Sequence, residues 1–251
     1  MQRNISLALF LTQGHIPMVQ NMFRLFDETD WCSFHSVFLY ALDKETVDAF
    51  TFKSGTNTKL VLHPVGRLSL STSATSGTSA FRDITIHKTK MLSEMTARSR
   101  DYDILFIDTD IVPQKPMLDF LRSFSPDADI VAQKWFKDAV NTGFVLIRNT
   151  DAASRHVRAW HATYKSMREQ PSWTFGSLSD QQAFHKTPKK DVNIQVLSER
   201  LFPNGKFYFA PNFSKQDAYM FHNNWIVGTD AKIKRMKRLG LWNPVWKPQA
   251  C

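Results

Sequence analysis

The sequence predicts an α/β fold, an open and mostly parallel central sheet flanked by helices. Three observations carry that prediction. The chain has 251 residues, 43% of them apolar, with 20 Phe and 7 Trp, enough to bury a single large core. Its apolar residues gather in short continuous runs bounded by turn residues, the pattern of strands covered on both faces. Between several runs lie stretches of helical period, and the resulting order β, α, β, β, α, β is that of crossover units.

In chain order, "ISLALFL" (residues 5–11) reads as the first core strand. It follows one basic residue, leads into "TQGHIP" without a small-residue cleavage site, and is far shorter than the roughly 20 residues of a membrane span. "PMVQNMFRLFDET" then places Met18, Met22, Leu25 and Phe26 on one side of a helix. "SVFLYAL" (36–42) and "KLVLHPV" (59–65) are further strands. "GRLSLSTSATSGTSAF" (66–81) is too rich in Ser, Thr and Gly for a packed element and reads as a surface loop. "KTKMLSEMTARS" forms a helix with Met91, Leu92 and Met95 on one side, followed by strands at "ILFI" (104–107), "DIVAQ" (129–133) and "FVLIR" (144–148). Residues 171–211 are loop-rich, with "GSLSDQQAFHK" and "LFPNGKFYFAP" as ordered islands. "TDAKIKRMKRLGLW" reads as a basic helix stopped at Gly240. No internal repeat occurs.

Lys and Arg number 32 against 23 Asp and Glu, a net charge of +9, which favours polyanionic ligands without choosing among nucleic acid, anionic membrane and phosphorylated small molecules. The only cysteines are Cys32 and Cys251. That count argues against a disulfide framework or a four-cysteine zinc site, and makes a reducing compartment the simpler expectation.

The chemistry concentrates where the "ILFI" strand meets Asp108, Thr109 and Asp110. Ligands of open α/β sheets bind outside the carboxyl ends of the strands. Side chains alternate along a strand, so Asp108 and Asp110 share one side and Thr109 takes the other. Two like charges so close are tolerated when a divalent cation lies between them or a proton is shared. Aspartate oxygens suit Mg2+ or Mn2+, ions that take remaining ligands from substrate phosphates. The plain alternative is that both aspartates cap the strand and the turn into Pro113. A second alternative is a phosphatase of the haloacid-dehalogenase type, whose first strand also ends in D-x-D; the later acidic pair that such enzymes need is absent after Asp110.

Other islands could complete a site. "NTGFVLIRNT" reads as an Asn-Thr-Gly turn before a strand, where Gly143 permits close backbone approach and the Asn141 amide can bridge sugar hydroxyls. "HNNWIVGTDAK" offers His222 as a metal ligand and Gly228 and Lys232 to a diphosphate. "SDQQAF" reads as solvent-facing when taken alone. The basic run "KIKRMKR" is the solvated face of a helix or a weak anchor to an anionic surface. A basic module binding nucleic acid would need a ribonucleoprotein, helix-turn-helix or zinc motif, and the chain has none.

Taken in order, "FLTQGHIPMVQNMF", "KTKM", "DILFIDTDIV", "NTGFVLIRNT", "SDQQAF", "LFPNG", "HNNWIVGTDAK" and "LGLW" resemble the nucleotide-diphospho-sugar transferases. These are retaining glycosyltransferases of GT-A fold, related to the family 8 galactosyltransferases. The resemblance implies one domain over residues 1–251, with a nucleotide-binding half (1–112) ending in D-x-D and an acceptor half (113–251) closing with a metal and diphosphate segment. It implies Mn2+ or Mg2+ on Asp108, Asp110 and His222, with a UDP-sugar as donor and a glycan or glycoprotein hydroxyl as acceptor. Thr12 and Gln13 would lie against the nucleotide. Thr109 belongs to the donor-contacting stretch, and Lys90, with Lys88 as the second choice, would contact phosphate and sugar. Asn141, Gly143 and Asp180 would touch the sugar, Gln181 would lie beside the anomeric carbon, and Gly228 and Lys232 would hold the diphosphate. Eukaryotic relatives usually carry a Golgi anchor. None is read here, so the expectation is a cytoplasmic enzyme of viral or bacterial origin that binds no nucleic acid.

Overall fold

The computed structural model describes residues 3–56, 60–64, 79–98, 101–137, 139–170 and 179–247. Strand β1 (Asn4–Leu11) pairs in parallel with β2 (Val37–Ala41) and β4 (Tyr102–Ile107), and β2 with β3 (Leu60–Pro64). Strand β7 (Ala139–Ile147) runs antiparallel to β4, β6 (Ile130–Phe136) antiparallel to β7, and β8 (Ile194–Leu197) parallel to β6. The sheet has seven strands in the order β3-β2-β1-β4-β7-β6-β8. Because only β7 is reversed, the carboxyl ends of the other six and the amino end of β7 open on one edge. A small second sheet pairs β5 (Ile111–Pro113) with β9 (Met220–His222) just beyond that edge.

Helices α1 (Ile16–Asp27), α2 (Lys44–Thr56), α3 (Ser79–Arg98), α4 (Leu118–Ser123), α5 (Asp151–Glu169), α6 (Asp180–Lys186), α7 (Gly205–Tyr208) and α8 (Thr229–Arg238) surround the sheet. Their starts follow local chemistry. Pro17 sits in the first turn of α1, where its missing N–H costs nothing. Thr150 caps α5 by accepting from Ala153 N at 3.1 Å, and Ser179 caps α6 by accepting from Gln182 N at 3.2 Å.

Alternation along the strands sends Leu7, Leu9, Leu105 and Ile107 to the face packed by α1, and Ala8, Phe10, Ile104 and Phe106 to the face packed by α3 and α5. Both faces are covered, as continuous apolar runs require. The far ends of β4 and β7 are locked by a buried ion pair. Arg148 Nη1 lies 2.9 Å from Asp103 Oδ2, and Arg148 Nη2 donates to Leu121 O at 2.8 Å. With both side chains at most 2% exposed, loss of either partner would strand a buried charge, at a cost of about 3–5 kcal/mol.

Several expectations need correction. Continuous apolar character reports burial on both faces and not direction, so β7 was legible as a strand but its antiparallel course was not. Helix α2 was not foreseen because its amphipathic period is weak. The expected Asn141-Thr142-Gly143 turn lies inside β7, opposite a register shift between Ala132 and Gln133 of β6. On α1, Met22 and Phe26 join the main core, whereas Met18 and Leu25 join a third cluster with Val112, Phe221 and Met236. Residues 79–81 of the expected Ser/Thr loop open α3, and 65–78 lie outside the described residues. Cys32 is disulfide-bonded, which removes the argument for a reducing compartment, since such bonds persist in oxidising surroundings; Cys251 lies outside the described residues. Among the described residues, no helix is long and apolar enough to cross a membrane.

Candidate active site

At the sheet edge Asp108, Asp110 and His222 each present one ligand atom within 4.8 Å of the others. Asp108 follows β4, Asp110 precedes β5, and His222 ends β9, which pairs residue for residue with β5 through Ile111 and His222. The small sheet is what brings the histidine back to the aspartates across more than a hundred residues of chain. His222 Nε2 is 3.0 Å from Asp110 Oδ1 and 3.9 Å from Asp108 Oδ2.

Gln133 Nε2 donates to Phe202 O at 3.1 Å, which turns Gln133 Oε1 towards His222 Nδ1 at 2.9 Å. Nε2 therefore faces the two carboxylates, and its 3.0 Å approach to Asp110 Oδ1 calls for a proton or a cation between them. Cis ligands of an octahedral ion at ~2.1 Å stand ~3 Å apart; His222 Nε2 and Asp110 Oδ1 meet that spacing and Asp108 Oδ2 lies 3.9 Å from the same nitrogen, so the three residues could hold a divalent ion. Gly143 makes the packing feasible. A Cβ there would lie 2.3 Å from Asp108 Oδ2 and 2.6 Å from His222 Cε1.

Two cations flank the cluster. Lys232, on the first turn of α8, sets Nζ 2.8 Å from Asp110 Oδ2. Burial alone would raise the Asp110 carboxyl, but His222 and Lys232 outweigh it and hold Asp110 well below the ordinary carboxylate range. Lys88, on α3, has Nζ 2.9 Å from Asp180 Oδ2 and 3.5 Å from Asp108 Oδ1, and donates to Thr142 O at 2.9 Å. Burial would lower its pKa; Asp108 and Asp180 raise it instead, so the ammonium stays charged.

The structure thus gathers Asp108, Asp110, Asn141, Gly143, Asp180, His222 and Lys232 at one edge, and it turns Lys88, not Lys90, towards them. The Lys90 side chain is 60% exposed and pairs with Glu94 at 3.9 Å. Residues two apart on a helix point in nearly opposite directions, so only one of the two lysines could face the site. Asp180, read as solvent-facing from its local sequence, is buried and accepts from Thr142 Oγ1 at 2.8 Å. Gln181 follows it on the same turn, half-buried. Asn141 turns its Oδ1 to Gly143 N at 2.8 Å and sets its Nδ2 3.2 Å from His222 Nδ1. Thr109 is buried between the two aspartates. Gly228 precedes α8 at φ 91°, a conformation suited to glycine.

Thr12, buried at the end of β1, places Oγ1 3.1 Å from His15 Nδ1, and the exposed Gln13 donates its N–H to Asp43 Oδ2 at 2.6 Å. Sequence reasoning missed three residues. Asp43 follows β2 at the same edge. His15 is held below its ordinary pKa by burial and then by Lys232, against the pull of Asp110, Asp108 and Asp43. Gln133 orients His222. The usable signal for Asp43 and Gln133 was that each is polar and closes an apolar run, as Asp108 does; His15 had none.

A family model described as nucleotide-diphospho-sugar transferase matches residues 33–236. The beta-arabinofuranosyltransferase RAY1 of Arabidopsis thaliana is 26% identical over 191 residues, covering 66% of this chain and 35% of its own length. A UDP-D-xylose:L-fucose alpha-1,3-D-xylosyltransferase of the same plant is 31% identical over 105 residues, covering 39% of this chain and 29% of its own. The chain therefore spans about a third of the length of these relatives. A solved glycosyltransferase involved in glycosylation of the major capsid of PBCV-1 superposes with a TM-score of 0.56 at 15% identity, over 94% of this chain and 99% of that one. That likeness is one of fold, and the fold is GT-A. With most of its length inside the family match, this chain belongs to the nucleotide-diphospho-sugar transferase family.

Proposed function

We propose that the protein transfers a sugar from a UDP-sugar to a hydroxyl of a glycan acceptor, with a divalent ion and with retention at the anomeric carbon. One observation carries this reading: two carboxylates and an imidazole converge at the carboxyl edge of the sheet, flanked by the buried Lys88 and the half-buried Lys232. Bound there, Mn2+ or Mg2+ would act as a Lewis acid on the donor's diphosphate. The chain's own residues meet the other demands. Lys232, at the amino end of α8, is placed to take up charge as the diphosphate leaves, helped by the N–H groups of that helix end. Thr12, Gln13 and Asp43 line the nucleotide side.

Lys88 and Thr142 both hold Asp180 Oδ2, which makes Asp180 a poor free nucleophile and favours front-face attack. In that step the acceptor oxygen bonds to the anomeric carbon, the bond to the diphosphate oxygen breaks, and that oxygen receives the acceptor's proton. Asn141, Asp180 and Gln181 would hold the donor sugar beside this path. The UDP donor named for the xylosyltransferase relative supports the choice of nucleotide.

The test is a thermal-shift panel of nucleotide sugars with and without Mn2+. A UDP-sugar at a hundredfold excess over its Kd should add about 2.7 kcal/mol of stability only when the metal is present. A chelator should abolish transfer without unfolding the protein, because Lys88 and Lys232 already neutralise the aspartates. Metal-independent binding would sink the metal role, and an inverted product anomer would sink retention.

A further inference from the structure

Beyond β6 the same edge continues into a patch of exposed aromatic rings. Trp225, three residues after His222, stacks on Trp135 with centroids 4.8 Å apart and planes inclined by 17°, yet remains 48% exposed. Phe136, beside Trp135 at the end of β6, is 52% exposed. Lys206 Nζ lies 5.4 Å from the Trp225 centroid and 5.6 Å from that of Phe136, so these side chains share one surface, and Lys137 Nζ stands 5.8 Å from the Phe136 ring.

Stability alone does not account for this arrangement. Trp225 has φ 58°, in the left-handed region where a bulky residue costs on the order of 1–3 kcal/mol, while its half-exposed indole recovers only part of the burial energy. The strained loop is nevertheless held firmly. Asn204 Nδ2 donates to Trp135 O at 3.0 Å, Gly205 N donates to Asn224 Oδ1 at 2.7 Å, and Arg235 donates to Asn224 O at 3.0 Å. A Cβ at Gly205 would lie 2.2 Å from Asn224 O. The frame is tied to the metal cluster, since Gln133, two residues before Trp135, holds His222.

The geometry points to this surface as the acceptor subsite, a platform on which a pyranose ring stacks its C–H face while Lys206 and Lys137 donate to the hydroxyls at its rim. The inference rests on the transferase reading and adds which flank of the site takes the acceptor. The occupant follows from placement. Thr12 and Asp43, at the ends of β1 and β2, lie on one side of β4, and the aromatic platform at the end of β6 lies on the other. A nucleobase held at β1 and β2 is thus separated from the rings by the metal cluster. Planar rings edged by ammonium groups match a sugar's apolar face and polar rim, whereas a protein interface would call for a broader surface depleted of lysine.

The experiment follows the indole N–H signals of the nitrogen-labelled chain, assigned through Trp225→Phe and Trp135→Phe. With Mn2+ and UDP present, the chain is titrated separately with the methyl glycosides of fucose, xylose, galactose and glucose. At least one glycoside should shift the Trp225 and Trp135 signals. Trp225→Ala should weaken that glycoside about tenfold and Trp225→Phe no more than about threefold, with circular dichroism confirming that each variant folds. The platform is refuted if no glycoside moves either indole, if Trp225→Ala binds as the parent does, or if UDP alone moves both signals. Failure of Mn2+ and UDP to bind, read by thermal shift in the same samples, would count against the transferase reading instead.

Discussion

Replacing Gly143 with Ala adds one methyl group where the structure has no room for it. The new Cβ would lie 2.3 Å from Asp108 Oδ2 and 2.6 Å from His222 Cε1. Restoring ordinary contact at ~3.4 Å requires Asp108 to retreat by about 1.1 Å and His222 by about 0.8 Å. The β7 backbone cannot absorb this, because Gly143 O accepts from Asp108 N at 2.7 Å. The two side chains differ in what they can do. Asp108 is 39% exposed and can swing towards water, whereas His222 is 4% exposed and held by Gln133. The fold should therefore lose only about 1–2 kcal/mol, the lower range for overpacking. The proposed metal site would lose the alignment of two of its three ligands, and a misplacement of about 1 Å costs on the order of a hundredfold. Calorimetric titration with Mn2+ and UDP, beside urea denaturation, reads the two effects separately. If Gly143→Ala binds both within about threefold of the parent, the claim that this glycine sets the ligand geometry is wrong.

Other expectations follow from the same structure. Lys88→Met should destabilise the protein by about 3 kcal/mol or more, because it leaves the Asp180 carboxylate buried with only Thr142 as partner. Lys90→Ala should change stability by less than about 0.5 kcal/mol; equal losses in urea denaturation would show that Lys88 is not the buried partner. Burial pushes the Asp27 carboxyl up to about 6. An acid raised in the folded state binds its proton more tightly there than in the unfolded chain, so stability falls as pH climbs from the ordinary 3.8 to about 6 and stays level above. Because Asp27 is half-exposed, Asp27→Asn should gain only about 1 kcal/mol at neutral pH. That gain should vanish below about pH 4, and thermal melts at both pH values would reveal a constant difference if the burial argument fails.

The basic run of α8 shows how one stretch of sequence divides in space. Lys232 turns in to Asp110, and Arg235 lies 4.5 Å over the Phe209 ring, while Lys234, Lys237 and Arg238 face solvent. A helix with five basic residues in seven reads as one charged face until its packing is known. Surface-directed residues remain for a weak association with anionic membrane, but not the whole run.

The sequence by itself determined six of the seven strands of the main sheet, their coverage on both faces, and the acidic pair that follows β4. Those features are local, since an apolar run requires burial; the alternation expected of the two aspartates does not apply, because they lie in the turn between β4 and β5 and converge there on His222. Only the tertiary structure decided which lysine of α3 reaches the carboxylates, that Asp180 is buried, and that Gln133 and Gly143 set the position of His222. Each of those depends on β6, β7 and β9 meeting at one edge from distant parts of the chain. No spacing in the text encodes that distance, because loop closure leaves the intervening length nearly free.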